Sequence, residues 1–319
     1  MTRHTATALD LIELTRPYAS RKKTAMRFGV IGDIHGFWDE RDTAFFNQAG
    51  YDMLLFVGDF ARITSAVPVA RRLAELATPA WAIPGNHDGV TIPQLLAEVK
   101  NRPLIRRLGA FGMARRVRAM EKAMAPVRLG GYTAAPLSDD LGLIVARPHA
   151  MGPDRFYYRS YLQKTYGIGD FDASSRKLCE LVDRSPRDLI LLAHNGPAGL
   201  GEMPTSPFGC DFAPEHGDFG DPDLRVAIEH ARATGHRVRA VLAGHMHHRS
   251  KHSGAWRESA ADDGETLYLN CARVPRIEAD GARRHHIALD VTPDGVRAET
   301  LFVDNDEKIV SREPIKARA

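Results

Sequence analysis

From residue 27 the chain alternates between two hydrophobic rhythms. Phe28-Gly29-Val30-Ile31 is short, apolar and β-branched and stops at Gly32-Asp33, the mark of a buried strand running into a turn. A helical pattern follows, in which Trp38, Phe45 and Ala49 share a face. The unit then repeats. Met53 to Val57 ends at Gly58-Asp59; Val67, Ala70, Ala74 and Ala77 fall at helical spacing with Leu73 beside them; Trp81-Ala82-Ile83 leads into Pro84-Gly85-Asn86-His87-Asp88. From Asp33 to Asp59 is 26 positions and from Asp59 to Asn86 is 27. Strands and helices alternating at this pace predict right-handed βαβ units on a largely parallel sheet.

After Asp88 the rhythm breaks. Lys100, Arg102, Arg106, Arg107, Arg115, Arg116, Arg118, Lys122 and Arg128 face a single acid, Glu121, and the stretch 100–128 reads as an inserted helical cap. Two later apolar runs, Leu189 to Ala193 and Val238 to Ala243, end at His194 and at Gly244-His245-Met246-His247-His248. Between them Asp221 and Pro222 supply an N-cap and a proline at N1, Leu224, Ala227, Ile228 and Ala231 a buried face, and Gly235 a stop. The Gly- and Pro-rich stretch 195–220 is long for a connector and is a candidate lid. Thr266–Asn270, His286–Val291 and Val296–Val303 read as strands, with a turn at Pro293-Asp294-Gly295, and predict a closing antiparallel meander. Phe156, Tyr157, Tyr158, Tyr161 and Tyr166 read as core, with stacking on a planar ligand as the alternative.

At ~150 residues per domain, 319 residues make one large domain or two ordinary ones. Lys and Arg number 43 against 40 Asp and Glu, too small a surplus for bulk charge to indicate nucleic acid or membrane. The basic stretch is a solvated face, a guide for an anionic substrate, or a contact for nucleic acid or an anionic membrane. Cys179, Cys210 and Cys271 are too few and too widely spaced for a disulfide framework or a C-x-x-C site, and suit a reducing compartment. With no spanning apolar run and no signal-peptide core, the expectation is a soluble cytoplasmic protein. Arg3, Arg16, Arg21, Lys22 and Lys23 give the first residues a faint likeness to an organelle import segment, but they are read as an N-terminal extension.

Five strands thus end in Asp33 and His35, Asp59, Asn86 and His87, His194, and His245 and His247. Taken singly each has an ordinary reading, as a turn residue or a hydrogen-bonded histidine. In open α/β sheets, however, sites form beyond the carboxyl ends of strands, so convergence is the economical explanation. Oxygen and nitrogen donors without thiolate suit Mn²⁺, Fe or Zn²⁺. Seven ligands drawn from these eight residues exceed one ion, and a pair ~3.5–4 Å apart around a shared carboxylate would acidify a bridging water.

The blocks G-D-I-H-G (32–36), G-D (58–59), G-N-H-D (85–88), A-H (193–194) and G-H-M-H (244–247) resemble, in order, those of the calcineurin-like metallophosphoesterases. The resemblance spans roughly Arg27 to Val303. It implies an α/β, four-layer αββα sandwich of two mixed sheets flanked by helices, with the small cap inserted. Domain limits are expected as an N-terminal extension at 1–25, a metallophosphoesterase domain at 26–304 and a C-terminal tail at 305–319. It further implies that Asp33, His35 and His247 hold one metal, that Asn86, His194 and His245 hold the second, and that Asp59 bridges them. His87 would serve the leaving oxygen, Asp88 would orient its imidazole, and a metal-bridging hydroxide would attack phosphorus in line. G-D-F-A-R and G-N-H-D depart from the Ser/Thr protein phosphatase pattern, leaving a hydrolase of small phosphodiesters or phosphomonoesters. The alternatives are a nuclease of the superfamily and a non-catalytic interaction scaffold on the same fold. Arg62 and His248 are candidate substrate contacts.

Overall fold

The computed structural model describes residues 25–61, 65–250, 253–278 and 281–315; the N-terminal extension, save its last residue, and Arg62 lie outside the described residues. The repeating unit is β1 (Met26–Ile31), α1 (Glu40–Gln48), β2 (Met53–Phe56), α2 (Val67–Leu73) and β3 (Ala80–Ala82). These three strands pair in parallel, and β4 (Arg128–Leu129) joins beside β3. A capping box between Asp39 and Asp42 starts α1. α2 ends a turn earlier than its spacing predicts, because the Ala77 N–H donates to the Asn47 side chain (2.7 Å) rather than to a helical carbonyl, and Leu76 takes the buried place.

α3 (Ile92–Val99), α4 (Pro103–Gly109) and α5 (Met113–Met124) follow, then β5 (Thr133–Pro136) and β6 (Leu141–Val145). α6 (Arg159–Tyr166) and α7 (Phe171–Asp183) lead to β7 (Asp188–Leu192), and α8 (Pro222–Ala233) leads to β8 (Arg237–Ala243). The remaining strands are β9 (Ala260–Asp262), β10 (Leu267–Asn270), β11 (Ile277–Glu278), β12 (Arg283–Thr292), β13 (Gly295–Asp304) and β14 (Ile309–Pro314). One sheet runs β14-β13-β12-β1-β2-β3-β4, with β11 on β12; the other runs β5-β6-β7-β8-β10-β9.

The period of two along the strands decides the layering. Phe28, Val30, Leu55 and Val57 of the first sheet meet Leu143, Val145, Ile190, Leu192 and Leu242 of the second. Ile31, Leu54 and Phe56 face the other way, onto Phe46, Leu73, Met120 and Met124. Ile144, Leu189, Leu191 and Val241 face outward onto Leu162, Leu178, Val182 and Ile228. The result is helix, sheet, sheet, helix: the four-layer αββα sandwich with two mixed sheets.

Several expectations change. β10 pairs in parallel with β8 in the second sheet, and the closing meander is β12-β13-β14 in the first. The segment expected as a tail from 305 therefore supplies an edge strand. Within 100–128, α5 is no appendage: it buries Met113, Val117, Met120 and Met124. The stretch 195–220 is pinned rather than poised as a lid. Arg257 holds the carbonyls of Pro204 and Gly209 and the Asp211 carboxylate, and Phe208 is fully buried. Asp221 precedes α8 as predicted, but its carboxylate pairs with buried Arg147 (2.6 Å) instead of capping. The tyrosines of 157–161 are core residues.

Candidate metal centre

β1, β2 and β3 of one sheet and β7 and β8 of the other bring their carboxyl ends together, and every strand-end ligand candidate lies in the turns just beyond. These turns are bonded to one another. The N–H of His35 donates to the carbonyl of Asp59 (2.7 Å), and that of Gly244 to the carbonyl of His194 (2.8 Å). Asp33, His35, Asp59 and His245 all have positive φ (26°, 45°, 51° and 64°), a strained conformation that surrounding structure must enforce. Gly58 (φ 108°) and Gly85 allow close approach: a Cβ on Gly85 would overlap the Asp59 carboxylate.

Two clusters result. In one, the donor atoms of Asp33, His35 and His247 lie within 4.8 Å of each other, and in the other those of Asp59, His194 and His245 do. His35 and His247 face each other through Nε2 at 3.1 Å, and His247 Nε2 is 3.3 Å from Asp33 Oδ2. Asn86 joins the second cluster, its Oδ1 2.8 Å from His194 Nε2 and 2.9 Å from His245 Nδ1. Asp59 stands between the clusters, with Oδ2 3.7 Å from His35 Nε2 and Oδ1 3.6 Å from His194 Nε2. The Nδ1–H of His194 donates to the carbonyl of Val57 (2.7 Å), which orients the ring so that Nε2 faces the cluster.

The electrostatics suit a cation. Burial alone would raise the carboxyls of Asp33 and Asp59, yet both are held below the usual range, Asp33 by His247 and Asp59 by His194, His87 and His35. Desolvation and neighbouring His194 push His245 down to about 3, leaving it neutral with a lone pair to give. Asp33 Oδ1 is buried without a hydrogen-bond partner. An orphaned carboxylate oxygen beside converging histidine nitrogens is what a bound ion would satisfy, so the residues fit a divalent metal pair.

His87 sits at the rim, its side chain a third exposed and its Nε2 4.0 Å from Asp59 Oδ2; its backbone N–H donates to Asp59 Oδ1 (3.0 Å). Asp88 does not orient it. The Asp88 carboxylate is buried and accepts from the N–H groups of Phe60, Ala61 and Gly85 (2.9, 3.0 and 2.8 Å), tying the turn after β2 to the turn after β3. Burial and nearby Asp59 push its carboxyl up to about 7. His248 is likewise in neither cluster: it is buried, its Nε2 on the carbonyl of Asn270 (2.8 Å). Two supports escaped the sequence reading. Tyr158 donates its hydroxyl to the carbonyl of Asn86 (2.8 Å), and His149 meets the carbonyl of Gly85 through Nδ1 (2.8 Å). Only their surroundings mark them out.

A sandwich whose two sheets end over paired oxygen and nitrogen clusters has the architecture of a metallohydrolase. A profile of the calcineurin-like phosphoesterases matches residues 26–249, well over half of the chain, and the chain belongs to that family. It is therefore a metal-dependent hydrolase acting on phosphoric esters. Among solved structures it is similar to PhoD (10% identity over 95% of this chain and 73% of that one, TM-score 0.49). It is also similar to TT1561 of Thermus thermophilus (9% identity, 92% and 100% covered, TM-score 0.46). A third is the phosphopantetheinyl hydrolase of Mycobacterium tuberculosis (13%, 77% and 89%, TM-score 0.44). No curated protein matches the sequence. No helix among the described residues is long and apolar enough to cross a membrane.

Proposed function

We propose that the protein hydrolyses a small phosphodiester or phosphomonoester at a centre holding two divalent ions. Asp33, His35 and His247 hold one ion, Asn86, His194 and His245 hold the other, and Asp59 is shared. The observation that carries this reading is the position of the Asp59 carboxylate, with one oxygen turned to each cluster. Mn²⁺, Fe or Zn²⁺ bound there supplies an acidified water and offsets charge on the phosphoryl oxygens. The protein's own groups do the rest. His87, at the rim beside Asp59, gives a proton to the departing oxygen, and its backbone N–H to Asp59 keeps ring and carboxylate in register. Asp88 fixes the turn that carries both Asn86 and His87.

A nuclease reading would rest on the basic stretch alone, where Arg116 is committed to the carbonyl of Gly89 (2.7 Å) while Lys100, Arg102, Arg107 and Arg115 are exposed. A scaffold would need none of the ligands, and all seven are retained with His87. The test is elemental analysis together with turnover, Mn²⁺ supplied, on an aryl monoester, an aryl diester, a 2′,3′-cyclic nucleotide and single-stranded DNA. Expected are about two metal ions per chain and turnover of the small esters, falling by ~10³-fold or more in Asp59→Asn. A protein without metal that no divalent ion activates would sink the proposal.

A further inference from the structure

The helices that follow the His87 turn have their polarity inside out. α3 turns Gln94, Ala97 and Glu98 toward the protein and leaves Leu96 and Val99 each 51% exposed. α4 buries none of its side chains: Leu104 is 79% exposed, Leu108 74% and Ile105 47%, and Phe111 just beyond is 88% exposed. Scattered surface apolar residues are ordinary, but here six fall within sixteen positions, and Leu104, Ile105 and Leu108, at i, i+1 and i+4, share one face of α4. The inversion is held in place. Gln94 donates to the Met113 sulfur (3.1 Å) and accepts from Arg116 (3.1 Å), while Arg155 donates to the Glu98 carbonyl (2.9 Å).

The charge along this stretch is almost all positive. Between Gly89 and Met120 there are seven Lys and Arg and one acid, Glu98, which is 5% exposed. Lys100, Arg102, Arg107 and Arg115 are exposed beside the apolar side chains.

We propose that this face docks on an anionic lipid bilayer. Leu104, Leu108 and Phe111 enter the boundary between headgroups and acyl chains, while the four exposed cations rest on lipid phosphates. Charge selects this occupant. A symmetric contact with a second copy would bring like cations together, and a nucleic acid would meet the cations but leave the aliphatic side chains in water. Because Thr91, the N-cap of α3, stands four positions after His87, the docked protein holds its candidate metal centre beside the bilayer surface.

The test is flotation of the full-length protein with vesicles of equal parts phosphatidylcholine and phosphatidylglycerol, and with phosphatidylcholine alone, at low and physiological salt. The protein is expected to rise with the anionic vesicles only, and less at higher salt. Leu104→Ser/Leu108→Ser/Phe111→Ser should weaken binding at least about tenfold, and Arg102→Gln/Arg107→Gln about fivefold per cation removed. All five side chains are exposed, so melting temperature and turnover of a soluble aryl ester should be unchanged. Absence of flotation with anionic vesicles, or flotation indifferent to both sets of changes, overturns the proposal. So does a dimer that the triple variant dissociates, which would give the face to a second copy. A triple variant with a lowered melting temperature would show the face covered by the chain itself, also overturning it. Oligonucleotide binding that survives the triple variant, without vesicle binding, would reassign the cations to nucleic acid.

Discussion

His87 is the residue of the centre whose proposed part is to move a proton rather than to hold an ion. His87→Asn should lower turnover of an alkyl ester by ~10²-fold or more while leaving metal content unchanged, because its ring stands beside the clusters and not within them. For a nitrophenyl ester, whose alcohol leaves readily as an anion, the defect should nearly vanish. Equal defects on both esters would take proton transfer away from His87. The seven proposed ligands were legible because they follow the ends of five strands in one fixed order, all but His194 in Gly-containing blocks. What those blocks do not encode is who faces whom. Asp88 next to His87 in sequence suggests a carboxylate on an imidazole, but the backbone turns that carboxylate toward three N–H groups. Tyr158 and His149 were legible only as an aromatic and a histidine, since their partners are main-chain carbonyls 72 and 64 positions away.

At the scale of elements, Asp88 fastens two turns from adjacent strands. Asp88→Asn should cost ~1–3 kcal/mol by urea denaturation, because an amide N–H₂ then meets one of the backbone N–H groups that the carboxylate now accepts. It should not alter the leaving-group dependence of turnover; a defect confined to alkyl esters at full stability would restore the orienting role. The central strands and α8 were readable from period and caps, as Leu224, Ala227, Ile228 and Ala231 all turned inward. Pairing was less so. Thr266–Asn270 looks like any short apolar strand, and whether it lies beside β8 or β12 depends on which sheet has a free edge, a property of the assembled sandwich. In 100–128 the density of cations concealed the Met113, Val117, Met120 and Met124 stripe that seats α5 in the core.

The whole molecule stores buried, neutral histidines away from the centre. Burial and the nearby Arg276 push His286 down from 6.5 to about 3, with Tyr51 Oη 2.6 Å from its Nε2, and His285 is also held well below its ordinary value. A depressed histidine leaves stability intact above its unfolded value and removes it as pH falls, because the unfolded chain takes the proton first. For His286 stability should thus decline between about pH 6.5 and 4.5 by ~2 kcal/mol, with a loss of the same sign from His285. In the Tyr51→Phe/His286→Phe variant, urea midpoints across that range should fall less steeply; an unchanged slope would clear His286. The edge strand β14 has a consequence of another kind. Most of its residues are exposed, among them Arg312, Glu313 and Pro314, and Arg312 pairs with Glu299 of β13 (2.6 Å). A charged strand carrying a proline is a poor template for intermolecular pairing. A chain ending at Asp304 would keep its core and its metal ligands but offer the ten residues of β13 as a bare border. Such a protein should precipitate or form sheet-rich oligomers at concentrations where the full chain stays monodisperse by light scattering, so the last strand works as a guard on solubility.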